Sequence, residues 1–189
     1  TAPLTRAHRI DGIVDPRRSM YFALYAYQED AVAFVECVHL RERWTHRMPL
    51  PAPFGQERPG VHAIVLSPTG DRLSVVHSPS ASVAIVDPDR LVVSRIGRFA
   101  PAGQEGKPTA RITASGRLVV SVDRTVFASD PHREIPTPGQ TRGLALGPHD
   151  DLWAGHPTGL VHLDLSTGAE IGRIAVQDLF TVEHVQGPV

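Results

Sequence analysis

The sequence predicts an all-β fold made of four antiparallel units, each of four short strands. Short apolar runs alternate throughout with Gly, Pro, Asp and Ser punctuation, the signature of hairpins. One pattern, apolar strand then turn then apolar strand, recurs four times along the 189 residues. No segment of useful length carries the 3.6-residue period of a helix.

The stretch Gly139–Ile174 shows the unit most clearly. Leu144–Leu146 and Leu152–Ala154 are expected as strands around the turn Gly147-Pro148-His149-Asp150. After the turn His156-Pro157-Thr158-Gly159 come strands Leu160–Leu165 and Ile171–Ile174, separated by Ser166–Ala169. One such meander cannot cover both of its faces, so it needs neighbours like itself.

The opening half of the unit recurs at Ile10–Tyr27, His62–His77, Ala110–Asp123 and Gly143–His156. Its turn carries Pro16, Pro68 and Pro148, with Ser115 in the third copy, because proline's preset φ suits an early turn position. The closing half recurs as Val83–Val86, Thr125–Ala128 and Val161–Leu163. These run into turns built on Asp87, on Ser129-Asp130 and on Asp164. An Asp heading a turn accepts hydrogen bonds from backbone amides two residues on. In the first unit Glu36 stands near that position, ahead of an irregular Cys37–Arg43. The stretch Asp30–Arg43 mixes β-branched and aromatic residues, which suits strands rather than a helix.

Proline- and glycine-rich linkers at Pro49–Gly60, Ala100–Pro108 and Thr137–Thr141 separate the units. Equivalent first strands are therefore spaced unevenly, by roughly 33 to 52 residues, a range that brackets propeller blades. The fold expected is a β-propeller of about four four-stranded blades, at residues 8–48, 61–98, 109–136 and 142–175. The ring is either small or half of a larger propeller. Residues 179–189 align with a first strand that stops at its turn. They are expected to close the ring or to pair with another chain.

Composition narrows the functions. The formal charge of −1 offers no basic field for nucleic acid. Of 19 basic residues only Lys107 is lysine. No apolar run approaches the ~18 residues of a membrane span, and the N-terminus lacks the profile of a signal peptide. Cys37 is the single cysteine, so no internal disulfide forms and the compartment stays open. It reads as a small buried hydrophobe.

Two residues sets point to a site. The loops leading into the blades repeat a glutamine followed two or three positions later by a cation: Gln56 and Arg58, Gln104 and Lys107, Gln140 and Arg142. Such amides and cations around a channel mouth suit an anion, a carboxylate or a carbonyl-rich peptide. The same Gly-Gln loops also suit a repeated turn with the amide capping backbone groups. The loops between second and third strands bring His77 and His156 to matched positions, with Asp123 and Gln28-Glu29-Asp30 in the other two units. Histidines with a carboxylate make a divalent-metal or acid–base set, though repeat ancestry alone also places them there. Tyr21, Ala23, Tyr25 and Tyr27 alternate with Phe22, Leu24 and Ala26, an arrangement expected to pack blade against blade.

The stretch SPTGDRLSVVHSPSASVAIVDPDRLVVSRI (Ser67–Ile96) resembles the YVTN-type propeller repeat of surface-layer and cytochrome-associated proteins. GLALGPHDDLWAGHPTGLVHLDLSTGAEIGRI (Gly143–Ile174) resembles blades of virginiamycin B lyase and of gluconolactonase- and regucalcin-like propellers. The resemblance implies a propeller and, for the lyases and lactonases, a divalent cation at the channel mouth held by acidic or amide residues. In the gluconolactonase-like group those ligands include Glu and Asn, and this chain contains no asparagine. Only His156 stands where the lyase's catalytic histidine would be sought. Those families use six or seven blades. Four-bladed hemopexin-like rings are tied by a disulfide, which one cysteine cannot form.

The function expected is a non-catalytic binding or assembly module. It would take a small ligand, a protein partner or a second copy at the channel-mouth loops and needs no cofactor. The alternative is a metal-assisted lyase or hydrolase acting through His77, His156 and Asp123.

Overall fold

A computed structural model of the chain describes residues 7–27, 31–55, 59–129, 132–147 and 151–176. The fold is all-β, with 58% strand and no α-helix among the described residues. Four four-stranded antiparallel sheets follow one another along the chain, each a simple meander. The chain divides into two compact units, Thr1–Lys107 and Pro108–Val189, each holding two sheets.

The first unit contains β1 (His8–Asp15), β2 (Met20–Tyr27), β3 (Val32–His39) and β4 (Thr45–Leu50), then β5 (His62–Leu66), β6 (Leu73–His77), β7 (Ser82–Asp87) and β8 (Val92–Arg98). Its core lies between the two sheets. Phe22, Leu24, Ala26, Val35 and Met48 from one sheet meet Ile64, Leu73, Val75, Ala84 and Val86 from the other. The period of two sorts the residues as the sequence predicts: Phe22, Leu24 and Ala26 pack between sheets. The tyrosine face does something else. Tyr25 stacks on Phe34, its partner across the strands, at 5.2 Å between ring centroids, and Arg47 lies over the Phe34 ring at 4.3 Å.

The second unit contains β9 (Thr109–Ile112), β10 (Leu118–Val122), β11 (Thr125–Ser129) and β12 (His132–Pro136), then β13 (Leu144–Leu146), β14 (Leu152–His156), β15 (Gly159–Leu163) and β16 (Glu170–Ala175). Val119, Val126, Ala128 and Ile135 pack on Leu144, Leu152, Ala154, Val161 and Leu163. Gly159 has φ +150°, and a Cβ there would collide with the carbonyl of Ile174 on the neighbouring strand, so this hairpin needs glycine.

The expected turns headed by Asp87 and Asp164 form, while Asp130 lies outside the described residues. The carboxylate of Asp87 accepts from the amides of Asp89 (2.9 Å) and Arg90 (3.0 Å). Asp164 accepts from the amides of Ser166 (2.7 Å) and Thr167 (3.4 Å). Blade 1 departs from the expectation. β3 runs on through Cys37 to His39, so Glu36 lies within the strand and the irregular stretch is shorter than the sequence suggests. The turn is headed by His39, whose Nδ1 accepts from the Glu42 amide at 3.0 Å. An imidazole nitrogen there does the work of a carboxylate oxygen. Cys37 is fully buried, and burial pushes its thiol up to about 11, so it sits in the core as an inert hydrophobe.

Candidate binding face at the lead-in loops

In a four-stranded meander the lead-in loop and the loop joining second and third strands fall at the same end, and the other two turns at the opposite end. Each unit fastens the first pair together. In the first unit the 100–107 loop docks on Ser78–Ala81. The Gly103 amide donates to the Pro79 carbonyl at 2.8 Å, and the Ser78 hydroxyl donates to the Gly106 carbonyl at 2.7 Å. In the second unit the Thr141 amide and hydroxyl both donate to the Asp123 carbonyl, at 2.6 and 2.8 Å, and the Arg142 amide donates to the Gly155 carbonyl at 2.7 Å. Gly139 lies against His156 and Pro157. Gln104 and Lys107 therefore share an end with His77, and Gln140 and Arg142 share one with His156 and Asp123. Gln56 and Arg58, like Gln28, Glu29 and Asp30, lie outside the described residues, as do Pro148, His149 and the expected closing strand.

The predicted site residues differ in accessibility. Lys107 and Gln140 are exposed, whereas Gln104 and Arg142 are half-buried. The Gln104 amide donates to the Pro101 carbonyl at 3.1 Å, which is the capping role that a repeated Gly-Gln turn suggests. The Asp123 side chain is exposed, and its backbone, at φ +49°, turns the hairpin between β10 and β11.

In each unit the histidine lies beneath the loops of its own end. His77 is 1% exposed and His156 5%. Each holds its Nδ1 against a hydroxyl in the following turn, Ser80 Oγ at 2.6 Å and Thr158 Oγ1 at 3.2 Å. Each leaves a buried Nε2 with no hydrogen-bond partner among the described residues. Repetition of a histidine two or three residues before a hydroxyl thus builds the same device twice. His77 also faces His62, a residue the sequence reading passed over, with ring centroids 4.7 Å apart. The signal was present: the hairpin through Ser67–Arg72 puts residues 62 and 77 directly across from each other. His62 is itself buried and bonded through Nε2 to the Phe54 carbonyl. Burial, with the neighbouring His62 adding to it, pulls the His77 imidazole down to about 4. Burial and then nearby Arg173 lower His156 as well. Both rings are held neutral at pH 7.

Among the described residues no three His, Cys, Asp or Glu side chains gather closely enough to hold a metal. No helix among them is long and apolar enough to cross a membrane.

Consecutive four-stranded meanders, with the first strands of neighbouring sheets side by side (β1 by β5, β9 by β13), are the blades of a β-propeller fold. Solved structures bear the same architecture. Hydrazine synthase of Kuenenia stuttgartiensis superposes with a TM-score of 0.66 at 17% identity, over 89% of this chain and 49% of that one. Virginiamycin B lyase from Staphylococcus aureus gives 0.64 at 12% identity, over 90% and 59%. The periplasmic gluconolactonase of Pseudomonas aeruginosa gives 0.60 at 18%, over 91% and 55%. This chain thus spans about half to three-fifths of those proteins, and at such identities the likeness is one of fold. No family model matches the sequence, and no curated protein matches it.

Proposed function

We propose that this chain is a non-catalytic binding module of propeller blades, taking a protein partner or a second copy of itself at the lead-in loops. The observation that carries the reading is the fastening of each lead-in loop onto its neighbouring turn, which presents Lys107 on a preorganised loop of the first unit and Gln140 and Arg142 on one of the second. Preorganised loops bind with less ordering cost. His77 and His156, below the loops of their own units, are neutral and buried, which suits a structural role better than proton transfer at neutral pH. Self-association is further supported by the apolar residues shown by the outer strands: Val92 and Ile96 on β8, Ile171 and Ile174 on β16.

Light scattering on the purified chain tests this. A dimer, or a stable complex with a partner chain, is expected, and Lys107→Glu together with Arg142→Glu should weaken it. A folded monomer near 20.5 kDa that takes up no partner overturns it. The second reading, a metal-assisted lyase or hydrolase, draws its support from the buried Nε2 atoms of His77 and of His156, which have no hydrogen-bond partner among the described residues. Stoichiometric divalent metal in the purified protein would favour it.

A further inference from the structure

At the opposite end of the second unit, away from the lead-in loops, a cleft of about 290 Å³ opens among the turns of its two sheets. That volume lies at the small end of ligand pockets, which start near 300 Å³, so it admits a molecule of amino-acid size and little more. We propose that it is a binding site for a free aliphatic α-amino acid: carboxylate on Arg117, ammonium on Asp151, side chain against Leu163, Leu165 and Ile171.

The carboxylate position follows from Arg117. Its guanidinium makes one long bond, 3.4 Å from Nη1 to the Leu165 carbonyl, and no carboxylate among the described residues pairs with it. The first unit shows what is missing. There Arg18, from the equivalent turn between first and second strands, reaches Asp89 through Nε at 2.7 Å and Nη2 at 3.1 Å. Asp89 is the third residue of the turn Asp87-Pro88-Asp89-Arg90. The matching residue of Asp164-Leu165-Ser166-Thr167 is Ser166, which has no charge to offer. A guanidinium's fork suits a carboxylate in two parallel bonds, and an incoming ligand can supply it.

The ammonium position follows from the acids that line the same cleft. Asp164 is saturated: its oxygens accept from the Ser166 amide and hydroxyl, both at 2.7 Å, the Thr167 amide at 3.4 Å and the Thr167 hydroxyl at 2.7 Å. These bonds hold it far below the usual carboxylate range, so it stays charged and makes the cleft hostile to a bare anion. Among the described residues the Asp151 carboxylate has a single partner, His162 Nε2 at 3.3 Å, and its side chain is 43% exposed, which leaves it room to accept an ammonium. One cation and two carboxylates select a zwitterion over an acid. Leu163 and Leu165 are buried apolar walls, and Ile171 is exposed at the rim.

Calorimetric titration of the intact chain with L-leucine tests the site, alongside 4-methylpentanoate, which lacks the ammonium, and 3-methylbutylamine, which lacks the carboxylate. Leucine should bind at least about tenfold tighter than either analogue, the value of one charge-assisted hydrogen bond. Ser166→Asp supplies an internal carboxylate, and it should cut leucine affinity by about tenfold or more while leaving the chain folded. Asp151→Asn should weaken leucine and should not weaken 4-methylpentanoate, whose carboxylate then meets one negative charge fewer. Absence of leucine binding to the folded chain, equal binding of the three compounds, or unaltered affinity in Ser166→Asp would each overturn the proposal.

Discussion

Residues 1–107 and 108–189 secure the same corner with different chemistry. In the first unit Arg18 ties three turns together. Its Nη1 donates to buried Asp15 at 2.8 Å and to the Gly70 carbonyl at 2.9 Å, while the rest of the guanidinium grips Asp89. Gly70, at φ +75°, is needed there, since a Cβ would stand 2.8 Å from Arg18 Nη1. In the second unit Arg117 and Arg133 reach, among the described residues, only backbone carbonyls, Leu165 at 3.4 Å and Thr167 at 3.0 Å. The lesson concerns one side chain. Where the turn offers Asp89 the corner fills with an ion pair, and where it offers Ser166 a cleft remains. The other ends differ too: the first unit buries the pair His62 and His77, and the second buries His156.

The largest effect that probes this comparison comes from the cores. Phe22→Ala in the first unit should cost roughly 3–5 kcal/mol, and Leu152→Ala in the second roughly 2–5, because each leaves a cavity among fully buried residues. Calorimetry on both variants reads whether the two units melt as one transition or two.

Acid should separate the histidine ends next. The His77 imidazole is depressed from 6.5 to about 4, so between those values the unfolded chain binds more protons and stability rises with pH. Stability is therefore full above pH 6.5 and drains away as pH falls toward 4, by about 2–3 kcal/mol. His77→Phe should flatten that slope more than His156→Phe does. Equal slopes in wild type and His77→Phe would show that the buried pair is not responsible.

Arg18→Ala strands the buried Asp15 carboxylate, which among the described residues keeps the amides of Arg17 and Arg18, and should cost roughly 1–3 kcal/mol. Arg117→Ala should cost no more than about 0.5 kcal/mol, since it removes one long bond. Urea unfolding of both measures the gap, and equal losses would erase the distinction between the corners. The smallest change is Ser166→Asp, which rebuilds the first unit's ion pair in the second and should raise Tm by roughly 1–3 °C.

The four sheets were legible in the chain because strand, turn and strand are local signals, and a turn's length sets the register of its hairpin. Asp87 and Asp164 announced their turns for the same reason: their hydrogen bonds span two or three residues. His39 as a turn head was not legible, since imidazole is an uncommon acceptor there and Glu36 looked the better candidate. The matched positions of His77 and His156 could be read from the repeat. Their burial and the depressed imidazoles could not, because desolvation depends on everything that packs around a ring. The cleft at Arg117 was invisible for a related reason. It arises where turns some 50 residues apart, at Thr113–Arg117 and Asp164–Ser166, come together without a carboxylate to fill the gap. Sequence by itself determined the strands, their order and the repeated loops. Tertiary structure decided which charged groups meet and which stay open, since Coulomb and desolvation energies follow distance through space rather than along the chain.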